Sequence, residues 1–294
     1  MPKRIPLFSL LVLLGLLGVQ APILGQALVP YTPQLDSKEL EQQGLNLAQD
    51  AIQLARFQQY ELAVPRAQLA TQLAPKSFQT WFILGSLYVQ TEELDKGIET
   101  LKRAHSLDPK EAGVLFSLGS AHFQKGEYDQ AVSQLQAGLK IKPDVPEALF
   151  DLGNSLYMLK RFPEAIAHYE KAVAQEKVFW PAINNIGLVK YEQGDVKAAI
   201  KHWEQAIAID GEAAEPQLAV AVALYAQGQR EKGLALGEAA IRLDGRYADV
   251  EFLQENLWGD RLLSATKTFL QTPRIQATIA QSGTPPMQIE MSPE

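Results

Sequence analysis

Apolar residues along the middle of the chain recur with the spacing of amphipathic helices. Pairs three residues apart, such as Trp81 with Leu84 and Leu115 with Leu118, place two large side chains on one helical face, with polar residues between them. Residues that end helices interrupt the pattern at regular intervals: Pro75, Pro109, Pro143, Gly211 and Gly245. The pattern predicts an all-α fold made of short helices.

The helical pattern repeats every 34 residues over residues 44–247 without insertion. The six repeats start at Gly44, Phe78, Ala112, Pro146, Trp180 and Ala214. The eighth residue of each repeat is small, namely Ala51, Gly85, Gly119, Gly153, Gly187 and Ala221. Two antiparallel helices approach closely only where side chains are small, so each repeat is predicted to form a helical hairpin.

The residues of repeat two resemble those of a known repeat family. In order they are Trp81, Leu84, Gly85, Tyr88, Gly97, Leu101, Ala104 and Pro109. This order resembles the tetratricopeptide repeat (TPR), which has a W-x2-L-G-x2-Y run in its first helix and ends its second before a proline. The resemblance implies a right-handed α-solenoid of six hairpins whose first helices line a concave groove for a protein segment. Asp50 and Gln217 depart from the pattern in the first and last repeats, which is expected at solenoid ends.

The N-terminal segment differs in character from the repeats. Lys3 and Arg4 precede an uncharged run at residues 5–30. Residues 1–27 are therefore interpreted either as a cleaved signal peptide or as an uncleaved membrane anchor, and both alternatives remain open. In either case the distribution of charge predicts that the repeats are exported. We accordingly expect a membrane-associated or exported protein, with residues 28–43 as a linker and lead-in.

The residues after the last repeat do not continue the period. Residues 248–272 are predicted to form capping helices, with Asp249 and Asp260 as N-caps. A separate docking site around Trp258 is the less favoured alternative. Residues 273–294 are rich in Pro, Ser, Thr and Gln, which predicts a flexible tail.

Composition narrows the possible chemistry. The 294 residues carry a formal net charge of -7, which disfavours nucleic-acid binding, and no cysteine, which excludes thiolate catalysis and thiolate metal sites. The four histidines are dispersed, and no catalytic or phosphate-binding motif is found. We therefore expect a non-enzymatic protein with no catalytic residue, cofactor or metal site.

The predicted groove is aromatic with a few polar groups. In the family, the second, fifth, ninth and twelfth residues of each repeat generally point into the groove. The candidate partner-binding residues are Phe82, Ser86, Phe116, Ser120, Phe123, Phe150, Asn154, Tyr157, Asn184, Tyr191 and Tyr225. Aromatic residues at these positions also pack against adjacent helices, so a structural role is the competing interpretation. No basic cluster lies nearby, which disfavours capture of a partner's C-terminal carboxylate.

Two functions remain after these exclusions. The first is a scaffold or assembly factor at a membrane that binds a protein segment in its groove, and the second is a structural subunit of an exported envelope complex that uses its convex face or cap. The hydrophobic N-terminus, the repeats and the segment at residues 251–263 resemble cyanobacterial membrane-bound TPR proteins of photosynthetic membrane biogenesis, among them an interactor of light-dependent protochlorophyllide oxidoreductase. This resemblance implies a role in chlorophyll synthesis or photosystem maturation at a thylakoid or plasma membrane. That oxidoreductase is cytoplasmic, whereas the distribution of charge predicts export, so the side of the membrane that the repeats face stays open.

Overall fold

A computed structural model describes residues 36–282 of the chain. Within that range the protein contains fifteen α-helices and no strand, so the prediction of an all-α fold is confirmed. The helices are α1 (Ser37–Arg56), α2 (Tyr60–Leu73), α3 (Phe78–Gln90), α4 (Leu94–Leu107), α5 (Ala112–Gln124), α6 (Tyr128–Ile141), α7 (Pro146–Met158), α8 (Phe162–Gln175), α9 (Trp180–Glu192), α10 (Val196–Ile209), α11 (Ala214–Ala226), α12 (Arg230–Leu243), α13 (Val250–Glu255), α14 (Asp260–Leu270) and α15 (Pro273–Ser282). The described residues from Leu40 onward belong to one compact unit.

Helices α1 to α12 form six hairpins in chain order. The first helices of hairpins two to six begin at the residues where the sequence places the repeat starts. In the first hairpin α1 begins earlier, at Ser37, so the end of the predicted linker at residues 28–43 is helical. The segment at residues 1–27 lies outside the described residues.

Small residues let the two helices of a hairpin touch. A Cβ atom added at Gly85 would lie 2.7 Å from Cγ of Leu101, and one at Gly187 would lie 2.6 Å from Cδ1 of Trp203. Leu101 and Trp203 occupy the twenty-fourth position of their repeats and are fully buried. The small eighth residue therefore leaves the space into which the large twenty-fourth residue packs.

A left-handed residue makes the turn inside every hairpin. The fifteenth residue of each repeat has a φ between 57° and 88°, and these residues are Gln58, Glu92, Gly126, Lys160, Gly194 and Gly228. The residue after a helix commonly takes this conformation, because it redirects the chain while its N–H bonds back to the helix. The turn is therefore the same in all six hairpins.

The helices after the repeats cover the end and one face of the solenoid. Helix α15 packs against α12, whereas α14 packs against α9 and α11, which are both first helices of their hairpins. We call residues 245–282 the cap. None of the described helices is both long and apolar enough to span a membrane.

Helix α15 corrects the prediction of a flexible tail at residues 273–294. Ile275 and Ile279 are buried, and Arg274 forms ion pairs with Glu231 and Glu238 of α12. Two isoleucines four residues apart are enough to dock one helical face, although the surrounding composition is that of a loop. Residues 283–294 lie outside the described residues.

Candidate partner-binding groove

The groove is open where the first helices of hairpins one and two meet. A cavity of about 290 Å³ lies between α1 and α3. Ile52, Phe82 and Ile83 supply apolar walls, and Arg56 and Ser86 add polar groups. The cavity can accept an apolar side chain of a bound segment. The Arg56 guanidinium and the Ser86 hydroxyl group then remain available to polar groups beside that side chain.

The aromatic residues at the fifth position contribute to packing as well as to the groove. The ring of Phe116 lies against Gly138, where an added Cβ would be 2.7 Å from Cδ1 of the ring. The ring centroid of Phe150 is 5.8 Å from that of Tyr169 and 5.4 Å from that of Phe179. Both rings are half-buried, so they pack against their neighbours while part of their surface stays accessible.

The cap covers the groove over the last repeats. Four of the residues proposed as groove contacts are buried there, with 1 to 9% of their surface exposed: Asn154, Tyr157, Asn184 and Tyr191. Leu257 of the cap packs against the apolar cluster that contains Tyr157, and the guanidinium carbon of Arg261 lies 5.7 Å from the ring centroid of Tyr191. Tyr157 and Tyr191 therefore contact the protein's own C-terminal segment, and all four residues are withdrawn from the groove surface.

The buried amides form a continuous hydrogen-bonded network. The Tyr169 hydroxyl donates to Oδ1 of Asn154 at 2.8 Å, and Nδ2 of Asn185 donates to the same oxygen at 2.9 Å. Nδ2 of Asn184 donates to Oδ1 of Asn185 at 3.1 Å. Burial of amide groups is tolerated when they are paired in this way, so Asn154 stabilises the fold across hairpins four and five, whereas Oδ1 of Asn184 has no hydrogen-bond partner among residues 36–282.

A buried carboxyl group joins the cap to the network. Nε1 of Trp258 donates to Oε1 of Glu215 at 3.0 Å, and the two residues are 3% and 8% exposed. Burial raises the pKa of Glu215 to about 7, against the opposing effect of hydrogen bonds from Trp258 and Asn184. Trp258 is therefore an internal anchor of the cap, which removes the alternative of a docking site around it.

Another carboxylate fixes the start of α14. Oε2 of Glu192 accepts from the backbone N–H of Arg261 at 3.2 Å, and its Oε1 accepts from that of Leu262 at 3.0 Å. The Glu192 carboxylate, which belongs to hairpin five, thus caps the N-terminus of α14 in place of the N-cap predicted at Asp260. Gly259 makes the approach possible, since a Cβ there would lie 2.6 Å from Cγ of Glu192.

The remaining candidate residues lie either in the open part of the groove or in the part that the cap covers. Ser120 and Phe123 are half-buried on α5, and the Phe123 ring centroid is 5.4 Å from that of Tyr128. Tyr225 lies under the cap, with its ring centroid 5.4 Å from that of Phe269. The open groove therefore runs from α1 to the near side of α7. No group of three or more His, Asp or Glu side chains within residues 36–282 could hold a metal ion.

Comparison with known proteins agrees with this architecture. Family models of tetratricopeptide repeats match residues 116–177 and 187–228. The chain therefore contains tetratricopeptide repeats. A model of the Chs5p-Arf1p-binding proteins also matches residues 29–112, and no curated protein sequence matches the chain.

Solved structures show the same fold at low sequence identity. The Pseudomonas aeruginosa PilF structure aligns with 75% of this chain and 98% of its own, at 16% identity and a TM-score of 0.61. A MamA structure aligns with 60% of this chain and 96% of its own, at 23% identity and a TM-score of 0.53. YrrB, described as a TPR protein with an unusual peptide-binding site, aligns with 65% of this chain and 95% of its own, at 18% identity and a TM-score of 0.51.

Sequence reasoning missed the residues that attach the cap. Glu192, Glu215 and Trp258 lie outside the family pattern, and their partners are 43 to 70 residues away in the chain. The sequence contains one signal of the cap's attachment. Gly237 occupies the twenty-fourth position of its repeat, where hairpins two to five have Leu or an aromatic residue. A missing large side chain in the last repeat indicates that another element fills its space.

Proposed function

We propose that this TPR protein is a non-catalytic scaffold or assembly factor that holds a segment of a partner protein in the groove from α1 to α7. The observation that carries the proposal is the cavity between α1 and α3, which the cap leaves uncovered. Half-buried Phe116 and Phe123 extend an apolar surface beyond it. The peptide-binding site described for YrrB supports the idea that this fold can present such a surface.

We further propose that the protein works at a membrane. The uncharged run at residues 5–30 supports this location, as an anchor or as a signal for export. The resemblance of residues 251–263 to cyanobacterial TPR proteins supports a role in chlorophyll synthesis or photosystem assembly at a thylakoid or plasma membrane. Within the structure that segment contains α13 and the start of α14, so the resemblance concerns the cap.

Site-specific photocrosslinking tests the groove. Because the chain has no cysteine, Ser86→Cys introduces one attachment point for a benzophenone maleimide beside the cavity. Lys171→Cys places the same probe on the exposed outer side of α8 as a control. The probe is attached to the purified protein, and we expect a crosslinked partner from position 86 in a cell extract, none from position 171, and loss of the product when Phe82→Ala is added. Equal crosslinking from both positions, or survival with Phe82→Ala in a folded protein, contradicts the groove assignment.

The exposed face of α2 favours a second function, a structural subunit that assembles through its convex side. Leu62 and Leu69 are 51% and 44% exposed, whereas repeat two has Lys96 and Arg103 at the same positions. Replacing the two leucines by Lys and Arg should break up a complex built on this face while leaving crosslinking at position 86 unchanged. The scaffold function predicts that these changes leave the mass of the native assembly unaltered, as measured by native electrophoresis.

A further inference from the structure

The open groove carries opposite charges at its two ends. The cavity between α1 and α3 shows that the fifth, sixth, ninth, tenth, twelfth and thirteenth residues of a repeat line the groove. In repeats one to four, the charged residues at these six positions are Arg56 in repeat one and Asp151 in repeat four, and Glu147 at the second position adds a negative charge beside Asp151. The six positions of repeats two and three hold only uncharged residues, so the middle of the groove is neutral.

Neither charge is compensated by the described residues. Arg56 is exposed, lines the cavity and has no ion pair among residues 36–282. The Asp151 carboxylate is half-buried and receives no hydrogen bond or ion pair within that range. Burial, and then the like charge of Glu147, raise the pKa of Asp151 to about 6. A cation supplied from outside would favour the ionised carboxylate.

The cap sets the length of the open groove. Leu257 packs into the cluster around Tyr157 and closes the groove beyond the near side of α7. Neighbouring packed helices lie about 8 to 10 Å apart, so three steps from α1 to α7 span roughly 24 to 30 Å. An extended chain covers that distance with about seven to nine residues at roughly 3.3 Å each.

We infer that the groove selects an internal segment of about nine residues with an Asp or Glu side chain at the end over Arg56, a Lys or Arg side chain at the end over Asp151, and apolar side chains between them. The inference rests on the proposed groove function and adds the chemistry of the partner. Charge complementarity fixes which end of the segment lies over which repeat, and the apolar side chains occupy the cavity beside Phe82.

Four fluorescein-labelled peptides with blocked termini test this selection. They share a core of about seven alternating serine and leucine residues, and their two end residues are Glu and Lys, Glu and Glu, Lys and Lys, or Gln and Gln. Binding to the full-length protein in mild detergent is measured by fluorescence anisotropy. The peptide with Glu and Lys should bind most tightly. The contact between the peptide's Lys and Asp151 should lower Kd about ten-fold, because Asp151 is partly desolvated. The contact between the peptide's Glu and Arg56 should lower Kd about three-fold, because Arg56 is exposed.

Two variants should change the order in which the four peptides bind. Arg56→Glu makes both ends of the groove acidic and should make the peptide with two Lys residues the tightest ligand. Asp151→Asn should bring the peptide with Glu and Lys and the peptide with two Glu residues to similar Kd values. Lys171→Glu, on the outer side of α8, is the matched control and should leave the wild-type order unchanged.

The outcomes separate the inference from the function on which it rests. Equal binding of all four peptides, or no binding of the peptide with Glu and Lys, overturns the charge selection. Crosslinking from position 86 then decides whether the groove still binds a partner. If that crosslink is also absent, the groove function fails as well. A wild-type order that persists in Arg56→Glu likewise overturns the inference.

Discussion

At the scale of single residues, two effects act in opposite directions on the ionisation of Glu215. The hydrogen bond from Trp258, which attaches the cap, favours the ionised carboxylate, whereas burial disfavours it and raises the pKa to about 7. The sequence offers no way to foresee this, because Glu215 occupies the second position of a repeat, where Gln79 and Glu147 also occur. Its burial depends on residues that follow 43 positions later.

The raised pKa gives a pH dependence of known sign. Glu215 binds a proton in the folded protein up to about pH 7, but in the unfolded chain only up to its ordinary value of 4.5. Its contribution to stability is therefore fully present below pH 4.5 and is lost as the pH rises to 7, by at most about 1.4 kcal/mol per pH unit. Glu215→Gln keeps an acceptor for Trp258 and should raise Tm at pH 8 while flattening the profile between these values.

Circular dichroism melting at several pH values measures this effect. Asp151 also has a raised pKa and contributes in the same direction, so the informative quantity is the difference between the wild-type and variant profiles. Glu212→Gln, on an exposed turn residue two positions before α11, serves as the control and should leave the profile unchanged. A Glu215→Gln profile parallel to that of the wild type would show that Glu215 does not titrate in this range.

At the scale of helices, Phe269 of α14 replaces a side chain that the last hairpin lacks. Hairpins two to five fill their interior with a large twenty-fourth residue, such as Leu135 or Trp203, but the sixth has Gly237 at that position. An added Cβ at Gly237 would lie 2.7 Å from Cε1 of Phe269, which is fully buried. The cap is thus joined to the solenoid by a side chain inserted into the last hairpin.

The insertion predicts that two destabilising substitutions compensate each other. Phe269→Ala should destabilise the cap by about 3 to 5 kcal/mol, because it empties a packed site. Gly237→Leu alone should also destabilise the protein, since the new side chain meets the Phe269 ring. The double variant should be more stable than either single variant, because the leucine introduced at position 237 then occupies the space that the aromatic ring has left. Urea unfolding of the three variants measures the coupling, and simple additivity would contradict the insertion.

How much was predictable differs between these elements. The 34-residue period identifies the hairpins because each repeat solves the same packing problem with the same small residues. Helix α15 lacks that support, since only Ile275 and Ile279 mark its buried face. The buried state of Tyr157 and Tyr191 could not be predicted either, because it depends on the return of the cap over helices that precede it in the chain.

At the scale of the whole molecule, the two halves of the solenoid are built differently. In hairpins one to three, contacts are mainly between neighbours, as in other repeat proteins. In hairpins four to six, the cap contacts several hairpins at once through Leu257, Trp258 and Phe269. Such bridging joins repeats that would otherwise open separately into one cooperative unit.

Hydrogen exchange can detect this asymmetry. Leu101→Ala in hairpin two and Ile241→Ala in hairpin six each remove a fully buried side chain, at a cost of about 2 to 5 kcal/mol. Leu101→Ala should accelerate amide exchange in α3 to α6 and leave α9 to α12 near their wild-type rates. Ile241→Ala should accelerate exchange from α9 through α15 together, because the cap transmits the loss across its hairpins. Exchange that rises uniformly along the chain in both variants would instead indicate a single cooperative unit, and the open groove would then share the stability of the capped half.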